Sequence, residues 1–332
     1  MHYPHRLLAI ALFLLSPISH AAEQPDQLTQ GSLTTIEPNP EAGFHHPYLI
    51  YIPDSAPAEG HTYLLVEPNN TGKPSDDYQE HIQAAEDLAA RNSVGHQVAN
   101  ELGVPFLVPI FPRPMSDWQT YTHALDSNTM AVEDGPLHRI DLQLLAMIKD
   151  ARSRLNAQGY GIPKRVLLTG FSASGTFINR FVMLHPNHVK ALAAGGINGV
   201  LFLPTDEIDG HPLPYPIGTN NFEELTGAPF DLDAVNEVPQ FYYMGAHDDN
   251  DAVQFDDAYN EDERQTIYAT IGESIQPERW KNCQEACKEI GLKAKYKTFT
   301  HIGHGTDQTV IAAVTKFLKD AIKPKRNPIK MP

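Results

Sequence analysis

Apolar residues in this chain fall into short solid runs separated by longer amphipathic stretches, and that alternation predicts its elements. Runs at 48–52, 62–66, 104–110, 166–168, 189–194 and 240–244 are continuous or nearly so and rich in Leu, Val, Ile, Ala and Tyr. Strands buried on both faces read this way. Shorter β-type patterns stand at 33–36 and 294–300. Helical spacing of apolar residues marks 84–102, 140–155, 176–184, 261–271, 277–290 and 307–321, with Asp307 as an N-cap. Strands that alternate with helices imply an α/β fold, a mostly parallel central sheet flanked by helices. The two strands before the first helix form an antiparallel entry. From 195 to 239 the rhythm breaks, with Pro204, Pro212, Pro214, Pro216 and Pro229 among isolated aromatics. A connection that long without periodicity is predicted to be a functional insertion, here an irregular cap over the active site.

The most informative stretch is Arg165 to Arg180, RVLLTGFSASGTFINR. A buried strand runs into Gly170-Phe171-Ser172-Ala173-Ser174-Gly175 and then into a helix with one apolar face. Strand, small-x-Ser-x-small, helix is a nucleophile elbow, in which a strained serine presents its hydroxyl above the sheet. The pattern departs from strict G-x-S-x-G, because Ser174 stands where the second glycine belongs and Gly175 comes one place later. Ser172 is the expected nucleophile. Ser174 is the alternative register, which would place Ser172 and β-branched Thr176 at the crowded positions.

A serine nucleophile needs a base and a group to orient that base. Both are expected in loops at the carboxyl ends of later strands. After the strand at 240–244 comes Gly245-Ala246-His247-Asp248, which makes Asp248 the expected acid, with Asp249 and Asp251 as reserves. After the strand at 294–300 comes His301-Ile302-Gly303-His304-Gly305, which makes His304 the expected base and His301 the reserve. The order Ser, acid, His is that of hydrolases with this elbow. The oxyanion hole is expected from the backbone N–H of Ala173 and of Asn70 or Thr71, in the loop after the third strand. Trp118 and Tyr121, which follow the strand at 104–110, are candidate substrate contacts. Phe202, Tyr215 and Phe222 are candidates to close over the pocket from the insertion. The aspartates at 248, 249 and 251 do not keep the spacing of an EF-hand loop, and no metal site or cofactor is expected.

The 332 residues suit one large domain, and a net charge of −16 argues against nucleic acid or anionic membrane as partners. Arg6, the apolar run 7–15 and the small residues Ser19 and Ala21 read as an export signal cut after Ala21. One catalytic domain, 22–332, is then expected in the periplasm or the medium, without stable membrane association. Its two cysteines, Cys283 and Cys287, are expected to form a disulfide in that compartment. Oligomeric state is not legible.

The elbow GFSASG, the acid turn GAHD and the GHG of the histidine together resemble the exported α/β-hydrolase serine esterases related to poly(3-hydroxybutyrate) depolymerases and feruloyl esterases. The resemblance covers most of the chain after the signal. It departs at Asn69-Asn70, where His-Gly is common, and at Ser174. It implies the α/β-hydrolase fold and cofactor-free hydrolysis of a small-molecule or polymeric ester through an acyl-enzyme. A serine peptidase on the same fold and a non-catalytic binding protein on a hydrolase scaffold are the competing expectations.

Overall fold

The computed structural model describes residues 28–323 except Ala58 and Asn92. The expected export signal at 1–21 lies outside the described residues. Among the described residues ten strands occur in chain order: β1 (Leu33–Ile36), β2 (Tyr48–Tyr51), β3 (Leu65–Val66), β4 (Phe106–Pro109), β5 (Val166–Phe171), β6 (Val189–Gly195), β7 (Glu207–Ile208), β8 (His211–Pro212), β9 (Gln240–Gly245) and β10 (Ala294–Phe299). The helices are α1 (Tyr78–Ala90), α2 (Val94–Leu102), α3 (Ser127–Ala131), α4 (Ile140–Ala157), α5 (Ala173–Leu184), α6 (Phe222–Thr226), α7 (Leu232–Asn236), α8 (Glu261–Thr270), α9 (Trp280–Ile290) and α10 (Gln308–Ile322).

Eight strands form one sheet in the order β1-β2-β4-β3-β5-β6-β9-β10, while β7 and β8 make a separate hairpin. β2 runs antiparallel to both β1 and β4, and the pairs from β4 onward are parallel. This is the α/β-hydrolase architecture, with its antiparallel entry. The solid apolar runs divide their side chains between two cores. Val166 and Leu168 of β5, Leu192 and Ala194 of β6, and Tyr242 and Met244 of β9 face a core shared with α4, α5 and α9. Leu167, Ala191, Ala193, Phe241 and Tyr243 face the opposite core, shared with α1, α2 and α10. Alternation is therefore present in these strands but invisible in the sequence, because both faces are apolar. Each large side chain so buried contributes about 1.5–3 kcal/mol.

Two elements differ from expectation. The helix expected over 84–102 is two helices, because Ser93 ends one and starts the next. Its hydroxyl donates to Leu88 O at 2.7 Å and accepts from the His96 N–H at 2.9 Å. The strand expected over 62–66 pairs only at Leu65–Val66, since the neighbouring strands register with it no earlier than Leu64. Asp307 caps α10 as expected, accepting from the N–H groups of Thr309 and Val310.

Within 195–239 the apolar residues Leu201, Phe202, Leu203, Leu213, Tyr215 and Ile217 join the core on the α5 side. Asn179 of α5 accepts a hydrogen bond from Phe202 N at 2.8 Å, and Phe202 stacks on Phe230. Phe202, Tyr215 and Phe222 are thus packing residues, and their rings do not line the pocket beside Ser172.

Candidate active site

β5 ends at Phe171, α5 begins at Ala173, and Ser172 between them has φ +61° and ψ −128°. A non-glycine residue in that region costs about 1–3 kcal/mol and persists only where its surroundings hold it. Here Ser172 N donates to Gly195 O at 2.9 Å and Ser172 O accepts from Thr176 N at 3.0 Å. The close pass of strand and helix explains the small residues. A Cβ on Gly170 would meet Ser174 O at 2.6 Å, and one on Gly175 would meet Gly195 O of β6 at 2.5 Å. The crowded glycine on the helix side is therefore Gly175, one place later than the strict motif.

Ser174 is tolerated because its side chain folds back. Its hydroxyl accepts from Phe171 N and donates to Phe171 O, both at 2.9 Å, and the residue is 1% exposed. The Ser174 hydroxyl is thus buried and engaged, whereas that of Ser172 faces His304.

The loops after β9 and β10 meet beside Ser172. A Cβ on Gly245 would lie 2.2 Å from Gly303 O, so the first position of the acid turn must be glycine for the two loops to touch. Ala246 N then donates to Phe299 O at 2.8 Å and His247 N to Ile302 O at 3.0 Å. His304 Nε2 stands 3.0 Å from Ser172 Oγ, and its Nδ1 stands 3.0 and 3.1 Å from the two oxygens of Asp248. Asp248 is buried and also accepts from the Asn250 N–H at 3.2 Å. A carboxylate facing Nδ1 assigns the ring proton there and leaves Nε2 as acceptor for the serine hydroxyl. The imidazole packs on Phe171 at 4.8 Å between centroids.

The reserves are elsewhere. His301 is exposed and bonds Asp307 at 2.8 Å. Asp251 is held by Arg279 at 2.8 and 3.1 Å, and Asp249 is exposed.

The loop after β3 is held by two buried histidines to which sequence analysis assigned no role. His81 Nδ1 lies 2.7 Å from Thr71 Oγ1, and His123 Nδ1 accepts from Thr71 N at 3.3 Å. His123 donates through Nε2 to Phe111 O at 2.8 Å, and burial pushes its pKa down to about 3, so it stays neutral. Asn69, at the usual histidine position, bonds both the N–H and the C=O of Phe111 at 3.1 and 2.9 Å. Of the expected oxyanion donors, the Thr71 N–H is thus engaged, whereas those of Ala173 and Asn70 have no acceptor among the described residues. The signal for this clamp was the set of histidines at 81 and 123, but nothing local says that they converge on one threonine.

A small cavity of about 30 Å³ adjoins Ser172 and Ala173, lined further by Tyr121, Thr176, Arg180, Asn198, Asn250 and Tyr259. Tyr121 lines it as expected, with the Arg113 guanidinium 3.5 Å over its ring. Trp118 does not; it is 42% exposed on the surface.

Cys283 and Cys287 are unbridged, which corrects the expected disulfide. They lie on successive turns of α9, where Cβ atoms four residues apart are about 5–6 Å from each other. A disulfide needs about 3.5–4.5 Å. Cys283 Sγ instead accepts from Leu201 N at 3.0 Å, and hydrogen bonding to Cys283 followed by burial holds the Cys287 thiol well above its ordinary range. Among the described residues no group of three or more His, Cys, Asp and Glu side chains forms a metal-binding cluster, and no helix is long and apolar enough to cross a membrane.

No protein-family model matches the chain, and no curated protein matches it either. Solved structures do. Poly(aspartic acid) hydrolase-1 from Sphingomonas sp. KT-1 is similar at 17% identity and a TM-score of 0.50, over 88% of this chain and 98% of that one. The poly(3-hydroxybutyrate) depolymerase LpqC from Bordetella parapertussis is similar at 16% identity and a TM-score of 0.48, over 89% and 92%. An S-formylglutathione hydrolase from Agrobacterium tumefaciens is similar at 14% identity and a TM-score of 0.46, over 87% and 93%. At these identities the likeness speaks to the fold alone.

Proposed function

We propose that this chain is a serine hydrolase that cleaves carboxylic esters through an acyl-enzyme. The observation that carries the reading is the continuous hydrogen-bonded chain Ser172 Oγ, His304, Asp248, with links of 3.0 Å on each side of the imidazole. In the first step Ser172 Oγ attacks the ester carbonyl while its proton passes to His304 Nε2. Asp248 holds the ring and stabilises the imidazolium that forms. The negative charge on the carbonyl oxygen is met by the N–H of Ala173 and by that of Asn70, or of Thr71 once it leaves His123. The imidazolium then gives its proton to the leaving alkoxide, which departs as the alcohol. Water, deprotonated by His304, attacks the acyl-serine and releases the acid and free Ser172.

In this reading one catalytic domain, residues 22–332, follows an export signal at 1–21 and works in the periplasm or the medium. Residues 195–239 contribute Asn198 to the pocket wall.

The test is a fluorophosphonate probe, peptide mass spectrometry and p-nitrophenyl esters of several chain lengths. Label on Ser172, with ester turnover lost in Ser172→Ala, is the expected result. Full turnover by that variant, or a folded protein that neither labels nor turns over any ester, would overturn the proposal.

A further inference from the structure

The catalytic chain leaves one charged group in the pocket unexplained. Arg180 lines the same cavity as Ser172, is 2% exposed, and sits on α5 two turns beyond the nucleophile. At 1.5 Å of rise per residue its backbone is about 12 Å along the helix, and helical side chains lean back toward the N-terminus, here toward Ser172. Its Nη1 donates to Ala124 O at 2.9 Å and its Nη2 to Tyr259 Oη at 3.0 Å, and both acceptor residues line the cavity. A guanidinium has five N–H donors, so these two bonds leave most of its fork unused.

No carboxylate among the described residues lies within 4.0 Å of Arg180. Asp126 and Glu263 lie farther off and feel its charge, and both also cap helix starts. Asp126 caps α3, accepting from Thr129 N at 2.9 Å and from Tyr121 N at 3.1 Å. Glu263 closes the capping box of α8, accepting from Asn260 N at 2.9 Å. A buried cation whose nearest carboxylates stand beyond 4.0 Å is only partly compensated, whereas neutral side chains could bond Ala124 O and the Tyr259 hydroxyl without that cost. Thr176, Asn198 and Asn250 add polar groups to the wall, which also holds four alanines.

We infer that Arg180 is the anchor for an anionic group on the substrate, a carboxylate within a few carbons of the scissile carbonyl. The flat guanidinium fork suits a carboxylate in bidentate geometry. The small cavity suits a carboxylate on a short chain. The preferred substrates are then esters of short dicarboxylic acids, or esters whose alcohol carries the acid. This inference rests on the ester-hydrolase reading.

The experiment measures kcat/KM on ester pairs matched in shape. Monomethyl succinate and glutarate carry the acid on the acyl side, and methyl 4-methylpentanoate and methyl 5-methylhexanoate replace their carboxylate by an isopropyl group. 3-Acetoxypropionate and isopentyl acetate form the same pair on the alcohol side. Methanol, or released acetate for the alcohol-side pair, is followed by NMR. Wild type is expected to favour the acid over its isostere by at least tenfold on one side, which also identifies that side. In Arg180→Gln the ratio should fall to about one, and in Arg180→Lys, which keeps the charge but not the fork, it should be intermediate. A purely structural arginine would lower both members of a pair equally and leave the ratio alone. Turnover of the neutral esters with no preference for the acids, or an unchanged ratio in both variants, would overturn the anchor while leaving the esterase reading intact. Failure of every ester together with absent label on Ser172 would reject the esterase reading itself. The wild-type ratios need no variant, so a misfolded Arg180→Gln protein does not spare the inference.

Discussion

Replacing Ser174 by alanine tests the proposal that Ser172 is the nucleophile and Ser174 a structural residue of the elbow. The substitution removes a single oxygen that closes two hydrogen bonds of 2.9 Å, one from Phe171 N and one to Phe171 O. Leaving one polar group unpaired in a buried turn costs about 1–3 kcal/mol. The carbonyl keeps a second lone-pair direction, so the N–H dominates and a total of about 2–4 kcal/mol is expected. For a chain of this size that corresponds to a fall in Tm of roughly 3–6 °C. Turnover should fall only about tenfold, through a looser elbow, because Ser172, His304 and Asp248 all remain. Ser172→Ala should behave in the opposite way, with Tm close to wild type and turnover abolished. Circular-dichroism melting, ester turnover and intact-mass detection of fluorophosphonate adducts read both variants. A Ser174→Ala protein as stable as wild type, yet unable to take the label, would refute the reasoning and return the nucleophile to position 174.

Two further predictions follow from the same geometry. Asp248→Asn keeps the shape of the acid turn but favours the wrong imidazole tautomer, so kcat should fall by about 10⁴-fold with little change in Tm; a fall of less than tenfold would show that Asp248 does not orient His304. Glu67 is fully buried, accepts among the described residues only the Gly95 N–H at 3.0 Å, and burial pushes its pKa up from 4.5 to about 8. Below pH 4.5 it is protonated in both folded and unfolded chains. Above that the unfolded chain releases a proton that the folded one retains, so stability is lost as pH rises toward 8, by up to about 1.4 kcal/mol per pH unit. In Glu67→Gln, urea unfolding at pH 5 and pH 8 should differ less than in wild type, and parallel losses in the two proteins would contradict the assignment.

Much of the site was readable because its chemistry is local. A buried strand ending in a serine between small residues, and two later strands ending in GAHD and GHG, each announce themselves within a few residues. The exceptions are contacts between segments far apart in the chain. The clamp on Thr71 comes from histidines ten and 52 positions away. Trp118 and Tyr121 looked equivalent as aromatic residues after a strand, but only the fold could turn one into the pocket and the other outward. The cysteine pair misled because the expected export would permit a disulfide, whereas the regular helix that carries both residues separates them.

What the sequence determined by itself was the alternation of strands and helices, and with it the sheet and the places of the candidate serine, acid and histidine along the chain. Solid apolar runs can be satisfied only by burial on both faces, and small residues at an elbow only by close approach of strand and helix. The tertiary structure decided which serine hydroxyl faces a histidine, which carboxylate faces that histidine, and which buried arginine lacks a carboxylate within 4.0 Å among the described residues. Those outcomes depend on distances between loops at the ends of different strands, and such distances are set by packing across the sheet that no single stretch of sequence contains.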